Sequence, residues 1–311
     1  MLDAHQMNVF LTAAQTLNFS EAGRRLHMTQ PSVSQHIQTL ERHFNTQLFV
    51  RSGRHLSLSE AGEALLPLAR EFISLSVQIE ESMASLQGYV HGHLQFGCST
   101  TAGKYILPKL LAGFRDIHPH VQITCHVRDN ATAIQMLIEG KVNLALAHER
   151  VNFRDVEFRK FMDDPVVLAV YPDHPWASRS VLQPEELLEG DFILREEGAG
   201  SRTELAKGLP EIGLSLDQLR TVMVLGNSEA ISLAVQEGIG VSFLSRLVVR
   251  APASRGELVA VEIEGLHLAQ EIWIGRNLHQ AATRAQAAFW SFVHDPNNQL
   301  AHSLVSGVST A

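Results

Sequence analysis

The chain has 311 residues, 45% of them hydrophobic, which is enough material for two or three compact units with a core each. No apolar run approaches the ~20 residues that cross a bilayer, and two cysteines, Cys98 and Cys125, cannot form a disulfide framework. No membrane association is expected, and because the start Met1-Leu2-Asp3-Ala4-His5 has neither a charged leader nor an apolar signal core, a cytoplasmic location is. The net charge of −8 is adverse to nucleic acid as a whole, yet residues 1–60 hold five Arg and five His against four Asp plus Glu. Phosphate binding depends on the local patch, so the first sixty residues stay open to DNA while the acid lies downstream. The first lysine of the chain is Lys104, so any DNA contact must rest on Arg, neutral polar groups and helix N-termini.

Residues His5 to Leu17 have the spacing of an amphipathic helix, with Met7, Phe10, Leu11, Ala14 and Leu17 inward. Ser20 is placed to cap a short second helix that includes Glu21 to Leu26. Thr29 is placed to cap a third, with Pro31 in the first turn where a missing N–H costs nothing. Val33, Ile37, Leu40 and Phe44 form its inward stripe, leaving Pro31, Ser34, Gln35, Gln38 and Arg42 on the opposite face. Two short helices joined by a tight turn suit a helix-turn-helix whose second member enters the major groove. Thr29, Gln30, Pro31, Ser32, Ser34, Gln35 and Gln38 are therefore the expected DNA-contacting residues, Gln being suited to bidentate pairing with adenine. An ordinary solvated helix face is the plain alternative for this segment alone. After Asn45, residues Leu48 to Leu58 are expected to form a small hairpin, a wing whose Arg51 and Arg54 meet phosphates with His55 nearby.

A long helix is expected from Ser59 to Gln87, ending near Gly88 and Gly92. Its Ala61, Leu65, Leu68, Phe72, Leu75, Ile79, Met83 and Leu86 follow a near-heptad seam. Packing on its own domain is one use of such a seam; pairing two subunits, so that two recognition helices reach successive half-sites, is the other. Strands and helices then alternate, which is the pattern of an α/β domain with a parallel sheet. Strands are expected at Leu94–Cys98, Val121–Val127 and Val142–Ala147, with helices at Gly103–Ile117 and Ala131–Glu139 between them. A second set comprises strands at Val166–Tyr171, Phe192–Leu194, Thr221–Leu225, Gly240–Leu244, Glu257–Glu264 and Glu271–Arg276. Its helices fall near Pro184–Leu188 and at Ser201–Lys207, Ser228–Gln236 and Ala281–Val293. The polar residues 296–311 are expected to be a disordered tail.

Five ordered motifs now stand together: Ser20; Gln30-Pro31-Ser32-Val33-Ser34; Leu40-Glu41; Leu48-Phe49-Val50-Arg51; and Leu58-Ser59-Glu60-Ala61-Gly62. In this order the chain resembles the LysR-type transcriptional regulators over nearly its whole length. Gly23 departs from the usual alanine of that pattern, a change expected to weaken the second helix by up to ~1 kcal/mol. The resemblance implies a winged helix-turn-helix at 1–58, a linker helix and hinge at 59–92, and a two-lobed α/β effector domain at 93–295 resembling periplasmic binding proteins. Lobe I would be 93–163 plus 269–295 and lobe II 164–268. It further implies a homodimer or homotetramer on double-stranded promoter DNA, controlled by a small effector.

Three junctions offer hydroxyls and free backbone N–H groups at helix starts, chemistry suited to an anion: Ser99-Thr100-Thr101, Gly198 to Thr203 and Gly226-Asn227-Ser228. Helix capping alone is the plain reading of each. The resemblance implies that they converge on one cleft and places Ser99, Thr101 and Ser201 at the anion. Thr100, Thr203 and Asn227 complete the candidate set, and His148, following a strand, is expected either to add a proton-dependent positive charge or to lie in an exposed loop. The run Leu194-Arg195-Glu196-Glu197-Gly198 resembles a subgroup tied to sulfur oxyanions and carbon-fixation operons, pointing to a sulfur oxyanion, phosphate or small carboxylate. Cys98 and Cys125 are read as packing residues rather than a redox pair. The His91/His93 and His118/His120 pairs lack partners at metal-ligand spacing, so no metal or cofactor is expected. Gly226-Asn227-Ser228-Glu229-Ala230 looks like a nucleophile elbow, but no convincing acid-to-His pair follows it. A serine hydrolase using Ser228 and a diffusible small-anion binding protein stand as the alternatives, and no enzyme activity is expected.

Overall fold

The computed structural model describes residues 2–52, 55–84, 89–153, 155–278, 282–301 and 303–304. The chain divides into two compact units, Met1–Gly92 with Gln280–Arg284, and His93–His279 with Ala285–Ala311.

The first unit starts with α1 (Ala4–Thr16), whose N-cap Asp3 accepts from the His5 N–H at 3.2 Å. Leu17 closes α1 in the left-handed conformation (φ 47°), which turns its side chain outward to 45% exposure instead of into the core. Helix α2 (Phe19–Leu26) is capped by Asn18, which accepts from the N–H groups of Ser20 and Glu21, so Ser20 lies inside the helix rather than at its cap. Helix α3 (Gln30–Phe44) is capped as expected: Thr29 Oγ1 accepts from the Ser32 N–H at 3.3 Å, and Asn45 ends the helix at φ 52°. Val33, Ile37 and Leu40 are buried, whereas Phe44, in the last turn, is 36% exposed and leaves the inward stripe. Gly23 has a cause that helix propensity misses: a Cβ there would sit 2.7 Å from the Met28 carbonyl oxygen, in the turn that brings α3 across α2.

Strands β1 (Phe49–Ser52) and β2 (His55–Leu58) pair antiparallel with Phe49 opposite Leu58. Arg54 lies outside the described residues. Glu41 Oε1 accepts from the N–H groups of both Leu48 and Phe49, at 2.9 and 3.3 Å, clasping α3 to the base of this hairpin. Helix α4 (Glu60–Ala84) opens where Ser59 Oγ accepts from the Gly62 N–H at 3.0 Å. A Cβ on Gly62 would collide with the Leu48 carbonyl, which accounts for the glycine in that motif. The apolar seam of α4 splits into two faces. Ala61, Leu65 and Phe72 pack with Ala69 onto the core of Met7, Phe10, Ile37 and Leu40, while Leu68, Leu75, Ile79 and Met83 stay exposed at 55–60%. Leu86 is outside the described residues.

The second unit holds β3 (Gly92–Cys98), a π-helical turn Ala102–Ile106 running into α5 (Leu107–Ile117), β4 (Val121–Val127), α6 (Asn130–Ile138) and β5 (Leu144–Ala147). There follow β6 (Val156–Val170), β7 (Val181–Leu182), a 3-10 segment Pro184–Glu189, β8 (Asp191–Arg195), α7 (Gly200–Gly208), β9 (Arg220–Leu225) and α8 (Ser228–Gln236). The remainder is β10 (Ser242–Ser245), α9 (Arg246–Ser254), β11 (Val259–Ile263), β12 (Leu268–Asn277) and α10 (Arg284–His294). The sheet is mixed rather than parallel. Its order is β4-β3-β5-β12-β6-β11-β7, with β10 also on β6 and a separate parallel β8–β9 pair. β3 and β5 run parallel, but β12 is antiparallel to both β5 and β6, and β6 to β10 and β11.

The pair β6–β12 is the long seam of this unit, in register from Leu268 opposite Val166 to Asn277 opposite Val156, with a shift at Ile272/Trp273. The expected lobe limits at 163/164 and 268/269 fall inside these two strands. The tail expectation fails as far as residue 304. Residues 299–301 and 303–304 are helical, Ala301 and Leu304 are buried, and Asn298 both caps this turn and donates to the Phe292 carbonyl at 2.6 Å. Residues 305–311 lie outside the described residues. Among those described, no helix is long and apolar enough to cross a membrane.

Candidate functional site

In the first unit, the polar face of α3 stands clear of the core. Thr29, Gln30, Pro31, Gln35 and Gln38 are exposed, and Ser32 and Ser34 are half-exposed beside them. Arg42 Nε donates to the Gln38 carbonyl at 3.3 Å and its Nη2 to Thr39 Oγ1 at 3.2 Å, which holds its guanidinium along the helix. Arg51 on the hairpin is exposed and lies 5.8 Å over the Phe19 ring. A face of amides and hydroxyls flanked by two arginines can form hydrogen bonds to base edges and phosphates.

In the second unit, strand ends and helix starts surround a cavity of about 330 Å3. Ser99, Thr100 and Thr101 enter it after β3, His148 after β5, Asn130 at the start of α6, Gly200 and Ser201 at the start of α7, and Ser228 at the start of α8. Five of the seven expected effector residues line it: Ser99, Thr100, Thr101, His148 and Ser201. Thr203 and Asn227 do not. Thr203 lies one turn into α7, and the Asn227 side chain is occupied capping α8 through the Glu229 and Ala230 N–H groups.

The residues that sequence reasoning missed carry the charge. Arg195, 13% exposed, reaches the wall from the end of β8, donating from Nε and Nη2 to the two carboxylate oxygens of Glu196 at 2.9 and 2.7 Å and from Nη1 to the Ser228 hydroxyl. Burial pushes the Glu196 carboxyl up, but the hydrogen bonds from Arg195 outweigh this and leave it below its usual range. Arg202 Nη1 donates to the Arg195 carbonyl at 2.7 Å and fixes the backbone there. Arg128 adds an exposed guanidinium on the other side, and Gln270 and Ser245 close the floor. Arg195 and Glu196 had left a trace within the Leu194 to Gly198 run and Arg202 within the Gly198 to Thr203 junction, but none was read as a site residue. Ser245 and Gln270 come from strands that give no local sign of facing a cavity.

His148 does not serve as a charge switch. It is half-buried, its Nδ1 is buried without a partner among the described residues, and its pKa is held down to about 4 by burial and then by the Arg195 charge. It is therefore neutral near pH 7, and it packs against Gly200, where a Cβ would come within 2.9 Å of its ring. Ser228 receives a hydrogen bond from a guanidinium, which cannot act as a base, so the nucleophile-elbow likeness ends in a helix start. Cys98 is buried and its pKa is pushed up to about 12 by burial and the nearby Cys125, which keeps it a protonated thiol. Lys104 Nζ meets Glu229 at 2.6 Å and the Tyr105 hydroxyl donates to the same carboxylate, tying the turn after β3 to α8.

Known proteins resemble this chain over both units. Residues 4–63 match the family model described as bacterial regulatory helix-turn-helix protein, lysR family, and residues 87–296 match the LysR substrate binding domain. The HTH-type transcriptional activator CmpR of Synechocystis sp. is 31% identical over 94% of this chain and 95% of its own length. Among solved structures, full-length CbnR complexed with target DNA superposes with a TM-score of 0.64 at 20% identity, covering 93% of this chain and 98% of that one. The regulatory domain of Synechocystis PCC6803 CcmR in complex with 2-PG gives 0.59 at 23% identity, covering 71% of this chain and 99% of that domain. With both family models matched in order over most of its length, the chain belongs to the LysR family of transcriptional regulators.

Proposed function

We propose that the protein binds a pseudo-palindromic promoter site through α3 and the hairpin, and that a small anion in the 330 Å3 cavity sets that binding. The observation that carries the effector class is Arg195. A nearly buried guanidinium, hydroxyls at Ser99, Thr101, Ser201 and Ser228, and the N-termini of α7 and α8 face one space small enough for a phosphate, sulfur oxyanion or short carboxylate. The relative solved with 2-PG, a compound bound by that protein, supports the same class here. Acidic Asp129, Glu196 and Glu197 in the lining favour a ligand of one or two charges over a polyanion.

The exposed row Leu68, Leu75, Ile79 and Met83 on α4 supports pairing of two subunits through that helix. Exposed Val222 and Val224 on the β9 edge, with Leu233 on α8, offer a second contact surface for a tetramer. The division into reader (1–58), linker helix (59–92) and two-lobed effector domain (93–295) follows the same assignment. A catalytic role is not part of the proposal, since Ser228 has no base, and the site of action is the cytoplasm, where promoter DNA is.

The test is titration calorimetry of the full-length protein with 2-PG, inorganic phosphate, sulfite, sulfate and thiosulfate. At least one should bind, and Thr101→Val should weaken it at least tenfold. Binding by none of them, or binding indifferent to Thr101→Val, would overturn the cavity as the effector site.

A further inference from the structure

A second cavity, about 320 Å3, lies in the second unit where β11 and β12 part from a shared edge of β6. β11 pairs with β6 from Val261 opposite Leu168, and β12 from Leu268 opposite Val166, so the chain between them swings out and leaves a fork. Buried Val166, Leu168, Phe243, Ile263 and Leu266 give it apolar walls. Arg246, the first residue of α9, lines it, and its Nε is buried with no partner among the described residues. A buried guanidinium N–H without an acceptor costs about 1–3 kcal/mol, so the fork holds an unmet demand for an acceptor. Glu262 and His267 stand at its exposed rim, and no ion pair joins Glu262 to Arg246.

The fork and the proposed effector cavity are lined by neighbouring residues of the same chain segments. Beneath that cavity the buried Asp164 accepts from Ser245 Oγ at 2.6 Å and from Gln270 Nε2 at 2.5 Å. The chain neighbours of all three, Pro165, Arg246 and Ala269, line the fork. Each member of the Asp164–Ser245–Gln270 cluster is thus one peptide from a residue of the fork lining.

We infer that the fork is a second ligand site, selective for an organic carboxylate with an apolar body, and that its occupancy changes the affinity of the effector cavity through the shared strands. The carboxylate meets the Arg246 fork of donors, and the body lies against Val166, Leu168 and Phe243. Any shift of Arg246 or Ala269 moves Ser245 or Gln270 with it, because each pair is joined by one peptide.

Phenylacetate is a suitable probe on the full-length protein. Calorimetry should show binding that survives Thr101→Val and falls about 10- to 100-fold in Arg246→Met, as expected for losing hydrogen bonds to a charged group. Ala269→Asp, which leaves Arg246 intact and sets a carboxylate at the fork, should weaken it too, guarding against an Arg246→Met effect that is only misfolding. Absence of phenylacetate binding, or loss in Thr101→Val with retention in Arg246→Met, would overturn the second site. For the coupling, inorganic phosphate titrated with and without saturating phenylacetate should show a changed affinity, and the reverse titration the same factor. An unchanged phosphate affinity would overturn the coupling. Failure of phosphate to bind at all would count against the effector-cavity reading on which the coupling rests, and phenylacetate binding would still decide the second site.

Discussion

The proposed DNA-reading face of the first unit and the proposed effector cavity would solve recognition with opposite means. Along α3 the exposed groups are neutral amides and hydroxyls, with Arg42 and Arg51 at the margins, and the surface is open. The cavity instead concentrates charge in a small volume: Arg128 and Arg195 against Asp129, Glu196 and Glu197. An open polar face gains its selectivity from the pattern of donors and acceptors, and gains little affinity per contact because water competes for each. A cavity lined by both signs of charge gains both from a few charge-assisted hydrogen bonds, and its carboxylates penalise a ligand that carries many negative charges.

The sharpest way to break this contrast is to remove one group from each side. Arg195→Met should reduce anion affinity about 100-fold by calorimetry, since it deletes several charged donors. The double variant Gln30→Ala, Ser34→Ala should cost less, about tenfold in anisotropy-measured affinity for the promoter site, with binding to unrelated DNA unchanged. If the DNA variant lost as much as the cavity variant, α3 would not be a surface of many weak contacts.

A second test concerns Asp164, which burial pushes up to about 6 against the hydrogen bonds of Ser245, Gln270 and Leu247. Its folded pKa lies above its unfolded value of about 4, so the folded state holds the proton longer and this group's contribution to stability falls as pH rises from about 4 to about 6. Asp164→Asn should abolish that fall, so the variant gains on the wild type by about 2 kcal/mol between those pH values in urea unfolding. Equal slopes in the two proteins would show the carboxyl to be ionised throughout. The smallest effect is expected at Gly23. Helix propensity alone says that Gly23→Ala stabilises by up to ~1 kcal/mol, whereas the clash with the Met28 carbonyl says that it destabilises by about 1 kcal/mol or more. The sign of the melting-temperature change decides between them.

Where interactions are local, the sequence was legible. The Thr29 cap, the Asn45 stop and the stripe of Val33, Ile37 and Leu40 each depend on residues within a turn or two along the chain. The errors gather at helix ends. Leu17 and Phe44 continue the apolar period but sit where the chain leaves the helix, and Asn18 supplies a side chain two residues ahead of the expected Ser20. In the second unit the first ten residues of β6 were missed because their charges, Arg159, Lys160, Asp163 and Asp164, hide a strand that is paired far away in sequence with β12. Helix α9, with Pro252 inside it, was also missed. Helix-start residues such as Ser99 and Ser201 were legible as site candidates because capping chemistry is local. Ser245 and Gln270 were not, since their place in the cavity floor exists only once β10 and β12 lie on β6.

The clasp from Glu41 to the backbone of Leu48 and Phe49 has a bearing on how signals reach DNA. It ties α3 to the hairpin base, so the two cannot tilt independently without breaking two hydrogen bonds. The DNA reader then behaves as a single stiff piece. Under the proposed function, an effector would act by changing where two such pieces stand relative to each other, which would make regulation a matter of spacing along the double helix rather than of reshaping what is read.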